Sequence, residues 1–180
     1  AQTPRHIALQ EAMGYPTPRY AHMALTMDMQ GRKLSKRDGA VEVFAFRQAG
    51  YLPEALLNFI ALLGWSPGGD RERMSRDEMI ALFSLDRMNR MNSKFDRGKL
   101  LAFNTDAIRE ASPDRLLAAF DDWLSVNPDS PLAKANLDTP TRCVLLAANT
   151  SVRTLADIES RAGFIFVDDE AIVYDPAAVS

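Results

Sequence analysis

One cysteine, Cys143, stands among the 180 residues. It excludes an internal disulfide and a cysteine-based zinc site, and it fits a reducing, cytoplasmic setting. The histidines are only His6 and His22. With so few partners, neither a Ser-His-Asp nor a Cys-His arrangement can be argued, and both histidines read as structural or surface residues. The sequence contains no G-x-x-x-x-G-K and no G-x-G-x-x-G phosphate loop. Its longest apolar run is six residues, Cys143 to Ala148, against the roughly 18 that a membrane helix needs, so no membrane span is expected. No basic, apolar, small-residue opening reads as a secretory signal. The acidic clusters Asp121-Asp122 and Asp168-Asp169-Glu170 lack calcium-loop spacing and its glycine, so no metal site is expected. Net positive charge is missing too: the balance is −3.

Enough apolar residue is present, 47%, to build a core of one or two domains. Charge is unevenly placed, +4 over residues 1–103 and −7 over 104–180. A polyanion site therefore belongs in the first half, where local field rather than net charge decides.

Helix signals dominate. Thr3-Pro4 opens a helix that Gly14 stops, and Pro16 and Pro18 force extended chain after it. Tyr20 to Met27, which includes His22, reads as a short strand. Helices are expected over Val41 to Ala49 and from Pro53 to Leu63. Ser75 with Glu78 forms a capping box for a helix through Phe83, and a short helix is expected from Asp96 to Phe103. Ser112-Pro113 opens the next, ended at Asn127-Pro128. Thr139-Pro140 and Thr154 open two more, the last stopped by Gly163. Phe164 to Val167 and Ala171 to Tyr174 are short apolar stretches of open type. Trp65 and Phe95 read as core, Met88 and Met91 as packing.

The segment Arg32-Lys33-Leu34-Ser35-Lys36-Arg37-Asp38-Gly39 follows the strand and carries four cations against one acid. Lysines three apart on a loop can close over a polyphosphate, because each is a compact point charge on a rotatable stem. Ser35 adds a hydroxyl donor, and Gly31 and Gly39 supply hinges. Taken alone, such a loop reads first as a solvated basic turn.

Lys33-Leu34-Ser35-Lys36-Arg37 is similar to the KMSKS signature of class I aminoacyl-tRNA synthetases, in the K-L-S-K-R form of the glutamate enzymes. Thr3-Pro4-Arg5 resembles their N-T-P-R-Q helix start, with His6 where glutamine is usual. Gly50 to Phe59, Leu62 to Ser66, and the block Phe95-Asp96, Lys99-Leu100 and Asn104 also match, as does the stretch from Phe164 to Pro176. The chain is thereby identified as resembling the bacterial glutamyl-tRNA synthetases over nearly its whole length. The HIGH signature and the glutamate-binding residues of that family are missing from it.

The resemblance implies a mainly α fold with a small β element near the N-terminus. Residues 1–40 would be the tail of a Rossmann-type catalytic domain with the signature loop. Residues 41–104 would form a helical stem-contact region, and 105–180 the first part of an α-helical anticodon-binding bundle. It further implies a fragment of an enzyme that activates glutamate with ATP, with Mg²⁺ accompanying the nucleotide, and transfers it to the 3′ end of the glutamate tRNA. Lys33, Ser35 and Lys36 would be catalytic, and Lys33, Leu34, Ser35, Lys36 and Arg37 would bind ATP. Backbone near Leu25 to Met27 would reach adenine. No general base is needed, since the glutamate carboxylate is already ionised at neutral pH. Arg87, Arg90, Lys94, Arg97 and Lys99 form a basic strip relieved only by Asp96, and Arg87, Arg90 and Lys94 are its candidate tRNA contacts, with a solvated face as the alternative. A monomer is expected, inactive alone for want of the HIGH-bearing half.

Three other readings compete. A glutaminyl enzyme would carry β-barrels after residue 104. The short paralogue that glutamylates the aspartate tRNA would end before the later helices. A stand-alone tRNA-binding module without catalysis would share every motif named here.

Overall fold

The structure is a computed structural model and describes residues 2–34 and 42–166. Helices dominate it, as expected. The helix α1 (Thr3–Ala12) buries none of its residues. The strand β1 (Thr26–Met27) leads into the signature segment. After it come α2 (Val43–Gln48), α3 (Pro53–Gly64), α4 (Arg76–Leu82), a 3₁₀ turn (Leu85–Arg87) and β2 (Ser93–Lys94). The remainder is α5 (Arg97–Glu110), α6 (Pro113–Val126), α7 (Pro131–Lys134), α8 (Thr139–Ala148), α9 (Ala156–Ala162) and a 3₁₀ turn (Gly163–Phe166).

Proline sets many of the starts. Pro4, Pro53, Pro113, Pro131 and Pro140 each lie in the first turn of a helix, where an amide N–H would have no intrahelical partner and φ is already helical. The side chains of Ser75, Asp96, Ser112 and Asp138 accept from backbone N–H groups three residues on, which satisfies donors that a helix start leaves open. Ser75 and Glu78 complete the expected capping box.

The core is made of helix stripes. Ala55, Leu56 and Phe59 of α3 face Leu100, Phe103 and Ile108 of α5, at the spacing that places side chains on one helix face. Phe95, just before α5, meets Phe59 edge-on at 5.0 Å. Ala119, Phe120 and Trp123 of α6 join the same cluster, with Leu132, Leu145, Leu155 and Ile158 from the later helices. A satellite cluster gathers Trp65, Met74 and Met79, with Met88 against it. Trp65 and Phe95 are thus core residues, as read from sequence.

Several expectations shift. Between Tyr20 and Met27 only Thr26 and Met27 are strand, and His22 is an exposed residue outside it. Met91 projects into solvent at 84% exposure instead of packing. The helix expected to end at Phe103 continues to Glu110, so position 104/105 lies inside α5. α8 opens at Thr139-Pro140 and runs to Ala148, as expected, with Asp138 as its cap. Thr154 does not cap α9: the Asp157 carboxylate accepts from the N–H groups of Arg153 and Thr154. Burial pushes that carboxyl up, but the Thr154 and Arg153 N–H groups, the Thr154 hydroxyl and the Arg161 charge together hold Asp157 below its usual range. The stretch Phe164–Phe166 is 3₁₀, and Ala171 to Tyr174 lies outside the described residues.

Candidate functional site

The candidate site is built on a tight hairpin. Gly31 N–H donates to Asp28 O at 3.1 Å and Asp28 N–H to Arg32 O at 2.8 Å. Gly31 sits at φ 81°, the left-handed position that a turn followed by a bulge requires and that glycine occupies without steric cost. The Asp28 carboxylate ties the turn together, accepting from Gln30 N–H, Arg32 N–H and Arg32 Nε. The Arg32 backbone donor is the main reason its carboxyl titrates below the usual range. Arg32 is therefore occupied in holding the turn.

The hairpin fixes the first two signature residues. Lys33 pairs with Met27 across an antiparallel bridge and is exposed. Leu34 N–H donates to Thr26 O at 3.1 Å, and its side chain packs on the main core. Leu34 thus anchors the start of the loop while Lys33 stays in solvent. Ser35, Lys36 and Arg37 lie outside the described residues.

On the other side β1 pairs with β2 in parallel, Thr26 with Ser93 and Met27 with Lys94. Ser93 N–H donates to Leu25 O and Phe95 N–H to Met27 O, while Leu25 N–H donates to Asn92 Oδ1 at 3.0 Å. The expected adenine contact from backbone near Leu25 to Met27 meets this arrangement directly. Leu25 N–H and the carbonyls of Leu25, Thr26 and Met27 are already bonded within the sheet.

The basic strip divides in the fold. Lys99 is paired with Glu72, to which its Nζ donates at 2.5 Å. Arg87 donates to the carbonyl of Pro67. Arg90 and Lys94 have no side-chain partner among the described residues, and both are exposed. Three other basic residues of the first half are committed: Arg47 pairs with Asp122, Arg71 with Glu78 and Arg73 with Asp106. No group of three or more potential metal-ligating side chains occurs among the described residues, and no helix there is long and apolar enough to cross a membrane.

Sequence reasoning missed one residue with a decisive placement. Asn104 is fully buried in α5. Its Oδ1 accepts from Leu52 N–H and its Nδ2 donates to Arg153 O, each at 2.7 Å. It staples the turn that follows α2 to the turn that precedes α9. Beside it Leu155 N–H donates to Gly50 O at 3.0 Å. Gly50, at φ 80°, lies so close to that backbone that an added Cβ would stand 2.6 Å from Leu155 N.

The class to which this strand and hairpin belong is given by a family model. The model for the catalytic domain of class I tRNA synthetases (E and Q) matches residues 1–102, and the chain belongs to that family. Within it the chain is similar to glutamate–tRNA ligases. It is 36% identical to the one from Syntrophotalea carbinolica over 99% of this chain and 37% of the relative. To glutamate–tRNA ligase 1 of Xanthobacter autotrophicus it is 38% identical, over 97% of this chain and 38% of the relative. The crystal structure of a glutamate tRNA ligase from Elizabethkingia meningosepticum, in complex with its amino acid, superposes with a TM-score of 0.70 at 29% identity, over 98% of this chain and 38% of that one. The chain thus spans less than two fifths of the length of these relatives.

Proposed function

We propose that the chain works as part of a cytoplasmic, monomeric glutamate–tRNA ligase, contributing the signature loop and the surface along which tRNA lies. The observation that carries this reading is the hairpin that packs the half-buried Leu34 on the core and leaves Lys33 exposed beside it. Residues 1–40 act as the end of the catalytic domain, 41–104 as the stem-contact region and 105–180 as the start of an anticodon-binding bundle. ATP, bringing Mg²⁺, meets Lys33, Ser35, Lys36 and Arg37, with Leu34 fixing their base. Glutamate, activated as its adenylate, is passed to the glutamate tRNA. The glutaminyl alternative is disfavoured because residues 105–166 are helical, without a strand among them.

The isolated 180-residue chain is expected to show no glutamate-dependent ATP–pyrophosphate exchange, since neither the HIGH signature nor a glutamate site is within it. Exchange above a Lys36→Ala control would overturn this part of the reading. A stand-alone tRNA-binding module would be equally inactive, so the reading of the coding sequence upstream of Ala1 separates the two: a HIGH-bearing half in frame marks the ligase.

Arg87 and Arg90, two of the three cations that the sequence groups as tRNA contacts, are the proposed phosphate contacts. Phosphate contacts set register without reading sequence. Replacing both arginines by alanine should weaken tRNA binding and reduce the log–log salt slope by about 1.5, at roughly 0.7–0.9 for each phosphate no longer neutralised. Thermal unfolding is the control, because exposed charge changes shift stability by only about 0.5 kcal/mol. A slope equal to wild type across a salt titration would mean that the strip is a solvated face.

A further inference from the structure

The sequence groups Lys94 with a tRNA strip and Lys33 with the ATP loop, 61 positions earlier in the numbering. The fold puts them on one surface. Met27 is the register partner of Lys94 in the parallel ladder and of Lys33 in the antiparallel bridge. Directly paired residues project to the same side of a sheet, and successive residues alternate. Lys33, Met27 and Lys94 therefore share one face.

The opposite face confirms this orientation. Thr26, Leu34 and Phe95, each one residue away from the three, line a single hollow with Phe46, Leu56 and Leu63. That is the core side, so the Lys33–Met27–Lys94 side looks outward.

Both lysines on the outward face are uncommitted. Lys33 and Lys94 are exposed, with no side-chain partner among the described residues. Among the described residues, the carboxylates nearest in sequence are engaged elsewhere. Asp28 accepts from Gln30 and Arg32, and Asp96 accepts from Lys99 N–H at 3.1 Å as a helix cap. Two strand spacings separate the lysine backbones by about 9–10 Å. Each ammonium sits on a flexible four-carbon stem, so both can converge on one phosphate chain. Between them Met27 offers a half-buried thioether, an apolar surface of the kind that suits a nucleoside. Two cations around an apolar floor match a nucleoside triphosphate better than a bare sugar–phosphate backbone.

We propose that Lys94 binds the triphosphate of ATP together with Lys33, as a second lysine of the nucleotide site rather than a member of the tRNA strip. The proposal rests on the reading of Lys33 as an ATP-binding residue.

The chain has five lysines, Lys33, Lys36, Lys94, Lys99 and Lys134. Reductive methylation with ¹³C-formaldehyde keeps their charge and gives each an NMR signal, assigned from single Lys→Arg variants. Titration of the whole chain with Mg·ATP should move the Lys33 and Lys94 signals along one shared isotherm while Lys134 stays still. Lys94→Ala should weaken the apparent affinity about fivefold, the scale of one unit charge removed at about 4 Å in water, and Lys134→Ala should leave it unchanged. A Lys33 signal that responds to Mg·ATP beside a static Lys94 signal would overturn the proposal and leave the loop reading standing. A Lys94 signal that responds to tRNA and not to Mg·ATP would return the residue to the tRNA strip and also overturn it. If neither lysine responds to Mg·ATP, the proposal falls together with the reading of Lys33.

Discussion

Replacing Asn104 by alanine is expected to destabilise the chain by about 2–5 kcal/mol, since the buried Leu52 N–H and the part-buried Arg153 carbonyl lose their partners, at up to about 1–3 kcal/mol for each buried group. Its Oδ1 and Nδ2 satisfy Leu52 N–H and Arg153 O at a fully buried position. Truncation removes both partners at once and adds a cavity. Such a loss is a large share of the roughly 5–15 kcal/mol by which a domain is stable. Asn149, also buried, provides the comparison, because its Nδ2 donates only to Leu145 O within α8. Asn149→Ala should cost about 1 kcal/mol, the usual net value of a single hydrogen bond. Urea unfolding followed by circular dichroism measures both. Equal losses in the two variants, or a loss below about 0.5 kcal/mol for Asn104→Ala, a range typical of surface changes, would show that Asn104 does not staple the two turns.

Asn104 also shows why the sequence predicts too short a helix at that point. Asn104-Thr105-Asp106 looks like a polar break after Phe103, and asparagine disfavours helix interiors because its side chain competes for backbone bonds. Here the competition is resolved across the fold. The amide is spent on two distant turns, the Thr105 hydroxyl donates to Leu101 O at 2.8 Å, and the helix runs on to Glu110. Helices whose starts combine a small polar cap with proline, such as α6, are legible because both signals are local. Strand β2 is not, since its existence depends on a partner 67 positions away in the numbering. The strand pattern of Tyr20 to Met27 misleads for the same reason. Only Thr26 and Met27 find ladder partners, and nearly all of the residues before them stay exposed.

The candidate site is legible in the sequence as chemistry and not as geometry. Four cations after a glycine turn suit an anion, and the likeness to the K-L-S-K-R signature singles them out from a solvated basic turn. Which cations are free to act is a matter of partners, and the sequence shows none of these. Arg32 is inside the basic segment but is held by Asp28. Arg47 is similarly held by Asp122, whose carboxyl lies below its usual range because of that guanidinium. Lys94, outside the segment, becomes its neighbour only through the parallel pairing with β1. The tight bonding of β1 on both edges likewise leaves the sheet to present side chains, with much of its backbone already engaged.

In the polypeptide that joins this chain to a HIGH-bearing half, Lys36→Ala is expected to slow adenylate formation by about 10²–10³, or roughly 3–4 kcal/mol, by analogy with the loss of one preorganised oxyanion donor. The proposed reaction is an in-line attack of the glutamate carboxylate on the α-phosphate of ATP. The bond to the pyrophosphate breaks, and its electrons leave as negative charge on the departing group. A cation already in place stabilises that charge more than it stabilises bound ATP, so the loss should fall on the rate of the step rather than on glutamate affinity. Lys36→Arg should recover only part of the rate, because a planar fork does not reproduce a compact point charge. Single-turnover formation of glutamyl-adenylate, with tRNA present, measures the step directly. Leu34 sets the complementary expectation. Its side chain packs on the core and its N–H holds Thr26 O, so Leu34→Ala should act by loosening the base of the loop and lower the rate by less than Lys36→Ala does. A near-normal single-turnover rate in Lys36→Ala would remove the residue from the chemistry and leave Lys33, fixed by the hairpin, as the cation on which the site depends.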